Sequence, residues 1–588
     1  MTDTHQQVVR SDIPFRIRIG VTGHRQLPDE KALSEKVQQV LGGLTEVIKS
    51  IQNGKKLKNT NHPLEKDIYD LFDKASRKAI RSSSHTPIVF SIMTPIAEGA
   101  DRLVAKEVLK IPDSTIEVVL PLVKEDYLQD FKSTKSKKEF NTLLRHKQGR
   151  RPITLRKQRL EEEFTKGNLK EARRKAYEDV GRYVVNHCDV LIALWDGQES
   201  RGKGGTAEIV NYAKEKCPVI IISTISPYGI SVVKGGVLNA KSISRVEMFN
   251  EFHITESEQQ GYIKNVYDEL FNDPENPDGM KLPENSKNLV REKLIPFYTR
   301  ASEISKYNQN IYRYSGTLIY AFSAAAVAAV NLGALISGLS PYLYFLEFVF
   351  LATIVFLVIF ANWRNTHKKW IESRFLTERI RTAIFFASCE VEASPVEVPP
   401  HMLPAHRHND WMVKVFDEIW NRLPVFKGCH GGQCQQYGEF IQKQWIQDQI
   451  NYHRKKSAKS EKISKILEWS GMAIFSVAMI IAISHLILPH SSHVLQSTNF
   501  NNLLTFFAIV LPAVGAAIGG IRIHREYSRL EKRSRNMVAV LTDLNERYPN
   551  INKPDTLESL LREAEELMLR ETQDWLMLMK FVQLKPPA

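Results

Sequence analysis

Four long apolar segments constrain this chain more than any other feature: Tyr314–Gly338, Leu343–Ala361, Ile466–Leu488 and Leu503–Ile523. Each approaches the roughly 20 residues that a helix needs to cross a bilayer. Within lipid every backbone polar group must be satisfied internally, so segments of this kind are read as helices. The first is uncharged throughout, and the second carries a single acid, Glu347. Pro512 lies in the fourth, where neighbouring helices can satisfy the carbonyl it frees. The alternative is two buried hairpins of a soluble protein.

Lysine and arginine placement sets the expected orientation. The connectors 340–342 and 489–502 carry neither residue, whereas 363–381, 453–465 and 522–535 carry many. A multi-pass protein is expected, with both termini and the 363–465 region in the cytoplasm. A basic amphipathic helix follows each hairpin, at 367–381 and at 524–535, which suggests a weak internal duplication. Small residues at 324–329 and the Gly515-x-x-x-Gly519 spacing suggest close helix packing, within one protomer or between protomers. Glu347 is the candidate gating acid, with Asn331 and His485 behind it.

The 588 residues exceed what one core accommodates. The expected division is 13–260, an α/β nucleotide-binding domain; 261–313, a helical linker; 314–381, the first hairpin with its basic helix; 382–465, a cytoplasmic connector; 466–540, the second hairpin with its basic helix; and 541–588, a C-terminal amphipathic helix. Net charge is +14, and much of the excess flanks the apolar segments. A lipid bilayer accounts for it better than nucleic acid, because no basic stretch is interleaved with aromatics. The five cysteines form no paired framework, as in a reducing compartment. The first residues carry no apolar run, and no cleaved signal peptide is expected. His401, His406, His408, Cys429, His430 and Cys434 fit no standard zinc spacing and read as an ordinary loop, with no metal.

In the front half, apolar runs at Phe15–Val21, Ile88–Met93, Thr115–Leu120, Asp189–Trp195 and Pro218–Ser223 alternate with charged stretches of helical period. That alternation implies βαβ units and a Rossmann-like parallel sheet covered on both faces. Ligands of such sheets bind beyond the carboxyl ends of the strands. The residues found there are Gly20, Thr22, Gly23, His24 and Arg25 after the first strand, and Glu98, Gly99, Asp101 and Arg102 after the second. After the fourth come Asp196, Gly197, Lys203, Gly204, Gly205, Thr206 and Glu208. The last group is a glycine-rich turn opening a helix, where free N–H groups and the helix dipole favour a phosphate. The basic stretch 130–175 reads as a solvated helical insertion or as a cover over a polyanionic ligand.

The turn Gly202-Lys-Gly-Gly-Thr-Ala-Glu208, with Val21-Thr-Gly-His-Arg25 and Glu98-Gly-Ala-Asp101, resembles the SLOG superfamily, which includes LOG-type and DprA-type proteins. Residues 13–225 carry the resemblance. Its signature glutamate lies one residue further from the threonine than Glu208 does here. The paired hairpins resemble SLATT-type membrane modules associated with that superfamily in bacterial conflict systems. The resemblance implies a nucleotide-derived second messenger as signal, with no resident cofactor. It also implies a homo-oligomeric effector of the bacterial inner membrane that permeabilises it in antiphage defence. The alternative it implies is a membrane-anchored nucleotide N-glycosidase with Glu208 as catalytic carboxylate.

Overall fold

A computed structural model describes residues 12–54, 63–156, 158–159, 169–199, 205–272, 282–391, 395, 410–426, 428–430, 432–487 and 498–579. The chain forms two compact units: 1–253 with 397–425, and 254–396 with 426–588.

The first unit is built on a seven-stranded sheet of order β4-β3-β2-β1-β5-β6-β7. Its strands are β1 (Phe15–Gly23), β2 (Ile88–Thr94), β3 (Thr115–Leu120), β4 (Ile153–Thr154), β5 (Val190–Trp195), β6 (Val219–Ser223) and β7 (Ile230–Val233). All pairings are parallel except β6 with β7. The five expected strands are present, and two short edge strands are added. Strand order reverses beside β1: the chain runs outward through β2, β3 and β4, then returns to pair β5 on the other side. A crevice therefore opens between β1 and β5 at their carboxyl ends.

Alternation along β1 explains how its faces are covered. Phe15, Ile17, Ile19 and Val21 are buried on one face. Gly20 lies on the other, against α4 (Leu169–His187): a Cβ at Gly20 would sit 2.8 Å from Cys188 Sγ and 2.9 Å from Val184 Cγ1. Helices α1 (Glu30–Gln52), α2 (Ala100–Val108), α3 (Thr134–Leu144) and α5 (Thr206–Lys214) complete the crossovers. Around Leu191, Ala193 and Val219, α4 and α5 contribute Val180, Val184, Ile209 and Val210 to one apolar core.

The region 382–465 is not a single connector. Helix Trp411–Trp420 belongs to the first unit, with every one of its residues buried. It docks through charge. Glu418 accepts from Arg16 Nε at 2.7 Å and Nη2 at 3.1 Å, and also pairs with Arg150. Asp417 pairs with Arg18, whose Nε lies 3.3 Å from Glu117. Lys414 Nζ sits 3.0 Å from Asp189 and donates to the Arg16 carbonyl at 2.9 Å. Arg150 Nη1 lies 3.6 Å from Glu117. The bases Arg16, Arg18, Arg150 and Lys414 thus balance the acids Glu117, Asp189, Asp417 and Glu418. Burial alone raises the Glu418 carboxyl, but Arg150 and Arg16 bring it down to about 2.

The second unit is almost wholly helical. Its main helices are α6 (Ile295–Leu335), α7 (Ser340–Trp363), α8 (Thr366–Ser388), α9 (Asp448–Ile487), α10 (Thr498–His524), α11 (Tyr527–Arg547) and α12 (Pro554–Met579). Among the described residues four helices, which carry most of the four apolar segments, are long and apolar enough to cross a membrane. On α7 the rings of Tyr342, Phe345, Phe348 and Phe356 are exposed, as lipid-facing side chains would be.

Each hairpin ends at a left-handed, non-glycine residue, Asn365 (φ 51°) or Glu526 (φ 55°), before the basic helix begins. This matching break fits the expected duplication. Close packing between α6 and α10 uses Gly316, where a Cβ would meet the His524 ring, and Gly520, where it would meet the Tyr320 ring. Gly519 has no neighbour within 4 Å of such a Cβ, and Gly515 has only Ile474, at 3.8 Å. Glu347 is half-buried on α7, and its carboxylate makes no ion pair among the described residues. The side chain of His485 lies outside the described residues. The C-terminal helix α12 buries Leu557, Leu560, Leu561 and Leu569 and packs against α8 and α11.

The cysteines depart from expectation. Cys429 and Cys434 form a disulfide, whereas Cys188, Cys217 and Cys389 are free and buried. The spacing was too short and too isolated to look like a framework, yet a six-residue loop is enough to close on itself. Among the described residues no group of acids, histidines and cysteines is placed to hold a metal; His401, His406 and His408 lie outside them.

Candidate functional site: a cleft at the carboxyl ends of β1, β5 and β6

Three loops and one helix terminus enclose a cleft of about 820 Å³ in the first unit. From β1 come Gly23, His24 and Arg25; from β5, Trp195 and Asp196; from β6, Thr224 and Ile225; and from α5, Gly205, Thr206 and Ala207. Arg174 and Tyr177 reach it from α4.

Local chemistry fixes each loop. The β1 loop is pinned to β5, with the His24 N–H donating to the Leu194 carbonyl at 3.2 Å. Asp196 donates its own N–H to His24 Nε2 at 3.2 Å, and its carboxylate accepts from the Gln198 N–H at 3.0 Å. That bond, with His24 beside it, holds the Asp196 carboxyl below the usual range. Gly197 follows at φ 81°, a left-handed turn that suits glycine. Helix α5 starts at Gly205, which makes no side-chain cap, so the first N–H groups of the helix open toward the cleft. The Arg25 guanidinium lies 5.6 Å from the centre of the Tyr177 ring. Burial and the bond to Asp130 push the Tyr177 hydroxyl up to about 12, so it stays protonated.

The remaining motif residues support this site instead of lining it. Gly20 packs on α4, and Thr22 pairs opposite Ala193 within the sheet. Gly99 (φ 78°) is pressed against the β1 loop: a Cβ there would lie 2.4 Å from the carbonyl oxygens of both His24 and Arg25. Ala100 N–H donates to the His24 carbonyl at 3.1 Å. Glu98 accepts from Ser136. Arg102 is buried, donates to the carbonyls of Ile96 and Ser136 at 3.1 Å each, and pairs with Glu139 at 2.8 Å. Asp101 accepts from the Ala97 N–H at 3.1 Å, and burial lifts its carboxyl to about 7. Glu208 is also outside the lining: its carboxylate lies 3.6 Å from Arg182 of α4. Lys203 and Gly204 lie outside the described residues.

Of the basic stretch 130–175, Arg150 and Arg151 serve the docked helix, Arg151 lying 4.5 Å from the Trp420 ring. Among the described residues of that stretch, Arg174 is the basic side chain that reaches the cleft. Arg174 and Tyr177 carry no motif. The one available signal is their i, i+3 spacing on a charged helix, which places both on one side.

No protein-family model, curated protein or solved structure matches this chain. The site therefore has to be read from its own chemistry. Two guanidinium groups and an uncapped helix start supply anion contacts, and the Trp195 and Tyr177 rings supply flat faces. Asp196 and Thr206 supply hydrogen-bonding groups suited to hydroxyls.

Proposed function

We propose that this chain is a membrane-embedded receiver for a nucleotide-derived second messenger. The observation that carries the reading is the cleft itself. Arg25, Arg174 and the start of α5 suit phosphate, while Trp195 and Tyr177 suit a base. In this reading the ligand binds one conformation of the first unit more tightly, and that difference in affinity shifts the apolar helices, alone or by self-association. The consequence would be permeabilisation of a bacterial inner membrane in antiphage defence, as the SLOG and SLATT resemblance implies. Four helices able to cross a bilayer support the membrane part.

The placement of Glu208 favours a receiver over an N-glycosidase. A carboxylate that acts at an anomeric carbon must face the ligand, and Glu208 faces Arg182. Incubating the purified full chain with nucleotide second messengers tests both parts. Binding should raise the melting temperature, and the ligand should be recovered intact. Release of free base that is lost in Glu208→Ala would replace the receiver with the hydrolase. Absence of any shift across cyclic dinucleotides and ADP-ribose derivatives would remove the ligand altogether.

A further inference from the structure

The two hairpins of the second unit meet at a cluster of rings beside their left-handed breaks. His367 comes just after Asn365, the break of the first hairpin, and His524 just before Glu526, the break of the second. Both rings pack on Tyr312 of α6, with centroids 4.4 Å away for His367 and 4.9 Å away for His524. Trp370 lies 5.8 Å from His367, and Tyr320 lies 6.5 Å from His524. The fit depends on Gly316 and Gly520, which leave room for the His524 and Tyr320 rings. Each hairpin thus sends one histidine to the helix that leads into the first apolar segment.

The Nε2 atoms of His367 and His524 are both buried without a hydrogen-bond partner among the described residues. His524 bonds to the Tyr312 backbone, and Nε2 is left as the bare lone pair of a neutral ring, the atom at which a proton would add. Among the described residues the charges that act on the rings are cationic: Arg313 and Arg525 on His524, and His524 itself on His367. Further out stand Tyr320 of α6, Arg374 of α8, Tyr452 of α9, Glu526 and Tyr527 of α11. Glu526 is paired with Arg529 at 3.1 Å. Protons added here would set like charges side by side in a closed space, and a buried charge without a partner is costly. Burial, with His524 beside it, brings the His367 imidazole down from its ordinary 6.5 to about 4.

We propose that His367 and His524 form a proton-operated joint, in which protonation of the two rings releases α6 from α8 and α10. The packed form excludes the protons. A form in which the helices have parted hydrates both rings and takes them up, so acid favours the parted form by linkage. Above pH 6.5 His367 is neutral in either form, and the packed joint is undisturbed. As pH falls from 6.5 toward 4 the parted form gains protons that the packed form does not, and its share rises. Helices α6 and α10 each carry an apolar segment, so the joint couples acidity on its side of a bilayer to how those segments pack. It does not depend on the cleft in the first unit.

The test uses the full chain in dodecyl maltoside with spin labels on Leu318→Cys and Ile523→Cys, exposed positions on α6 and α10. The three free native cysteines are buried and should take little label. Dipolar spectra report the separation of the two labels. Between pH 7.5 and pH 5 a population of longer separation should appear, its ratio to the packed form rising about tenfold or more. His367→Gln with His524→Gln should keep the spectrum of pH 7.5 and remove the response to acid. Should that variant not fold, His367→Phe alone, which keeps a ring on Tyr312, should reduce the response, with folding checked by size exclusion. A spectrum that does not change between pH 7.5 and pH 5, or a change undiminished by these substitutions, overturns the proposal.

Discussion

Arg25 stands where the anion of the proposed ligand must be met: exposed, at the carboxyl end of β1, and close to the Tyr177 ring. Arg25→Ala should weaken binding of a phosphate-bearing nucleotide by about 1.5–3 kcal/mol, the range for a hydrogen bond to a charged group. Quenching of tryptophan fluorescence, with Trp195 in the cleft, follows it. Asp101 braces the neighbouring turn after β2 through the Ala97 N–H and gives a pH signature. Its folded value of about 7 lies above its ordinary 3.8. Between these values the folded chain holds the extra proton, so stability falls as pH rises through the window, by an amount on the order of 4 kcal/mol in all. Thermal melts from pH 5 to pH 8 should show a decline in the first unit that Asp101→Asn flattens; a decline that persists unchanged in the variant assigns the pH dependence to another group. The cleft was partly legible in the sequence. Gly23 ends β1, His24, Arg25 and Asp196 follow strands directly, Gly205 and Thr206 open the helix after β5, and topology puts strand ends together. The sequence could not separate residues that line a loop from those that brace it. Glu98, Gly99, Asp101 and Arg102 share the strand-end address, yet Gly99 presses on the β1 loop, Glu98 and Arg102 bond to α3, and Asp101 bonds within its own turn at Ala97.

Helix Trp411–Trp420 is an element that sequence reading missed, and the reason is physical. A strand buried on both faces that reads Phe-Arg-Ile-Arg must find acids for Arg16 and Arg18. The acids it finds, Asp417 and Glu418, lie some four hundred residues away, and periodicity carries no information about so distant a partner. Strand positions were recoverable because apolar runs report burial locally. Removing one member of a buried charge set leaves its partner uncompensated. Glu418→Ala should therefore cost about 3–5 kcal/mol, measured by denaturation of the first unit. A simultaneous Arg16→Met change should recover part of that loss. A fragment ending at residue 253 lacks the helix and is expected to be insoluble or molten. Supplying residues 397–425 in trans should restore cooperative unfolding; a fragment that melts cooperatively without them would show the helix to be dispensable.

At the scale of the whole molecule, that docked helix bears on topology. The first unit is assembled from 1–253 and from 397–425, so the two stretches must lie on one side of any membrane the chain crosses. Among the described residues between them run two helices apolar enough to cross, α6 and α7, an even number of crossings that would return the chain to the side it left. Lysine and arginine placement leads to the same arrangement as an expectation, and the proposed side is the cytoplasmic one. The 336–340 turn should then be the external end of the first hairpin. Cysteine introduced at Leu339, which is exposed, should react with a membrane-impermeant maleimide added to intact cells. Cysteine introduced at Ser244, exposed in the first unit, should react only after lysis. The three free native cysteines are buried and should give little background. Reaction of Ser244→Cys in intact cells would invert the proposed orientation. The cleft would then face the outside, away from any nucleotide signal made within the cell, and the receiver reading would fall with it.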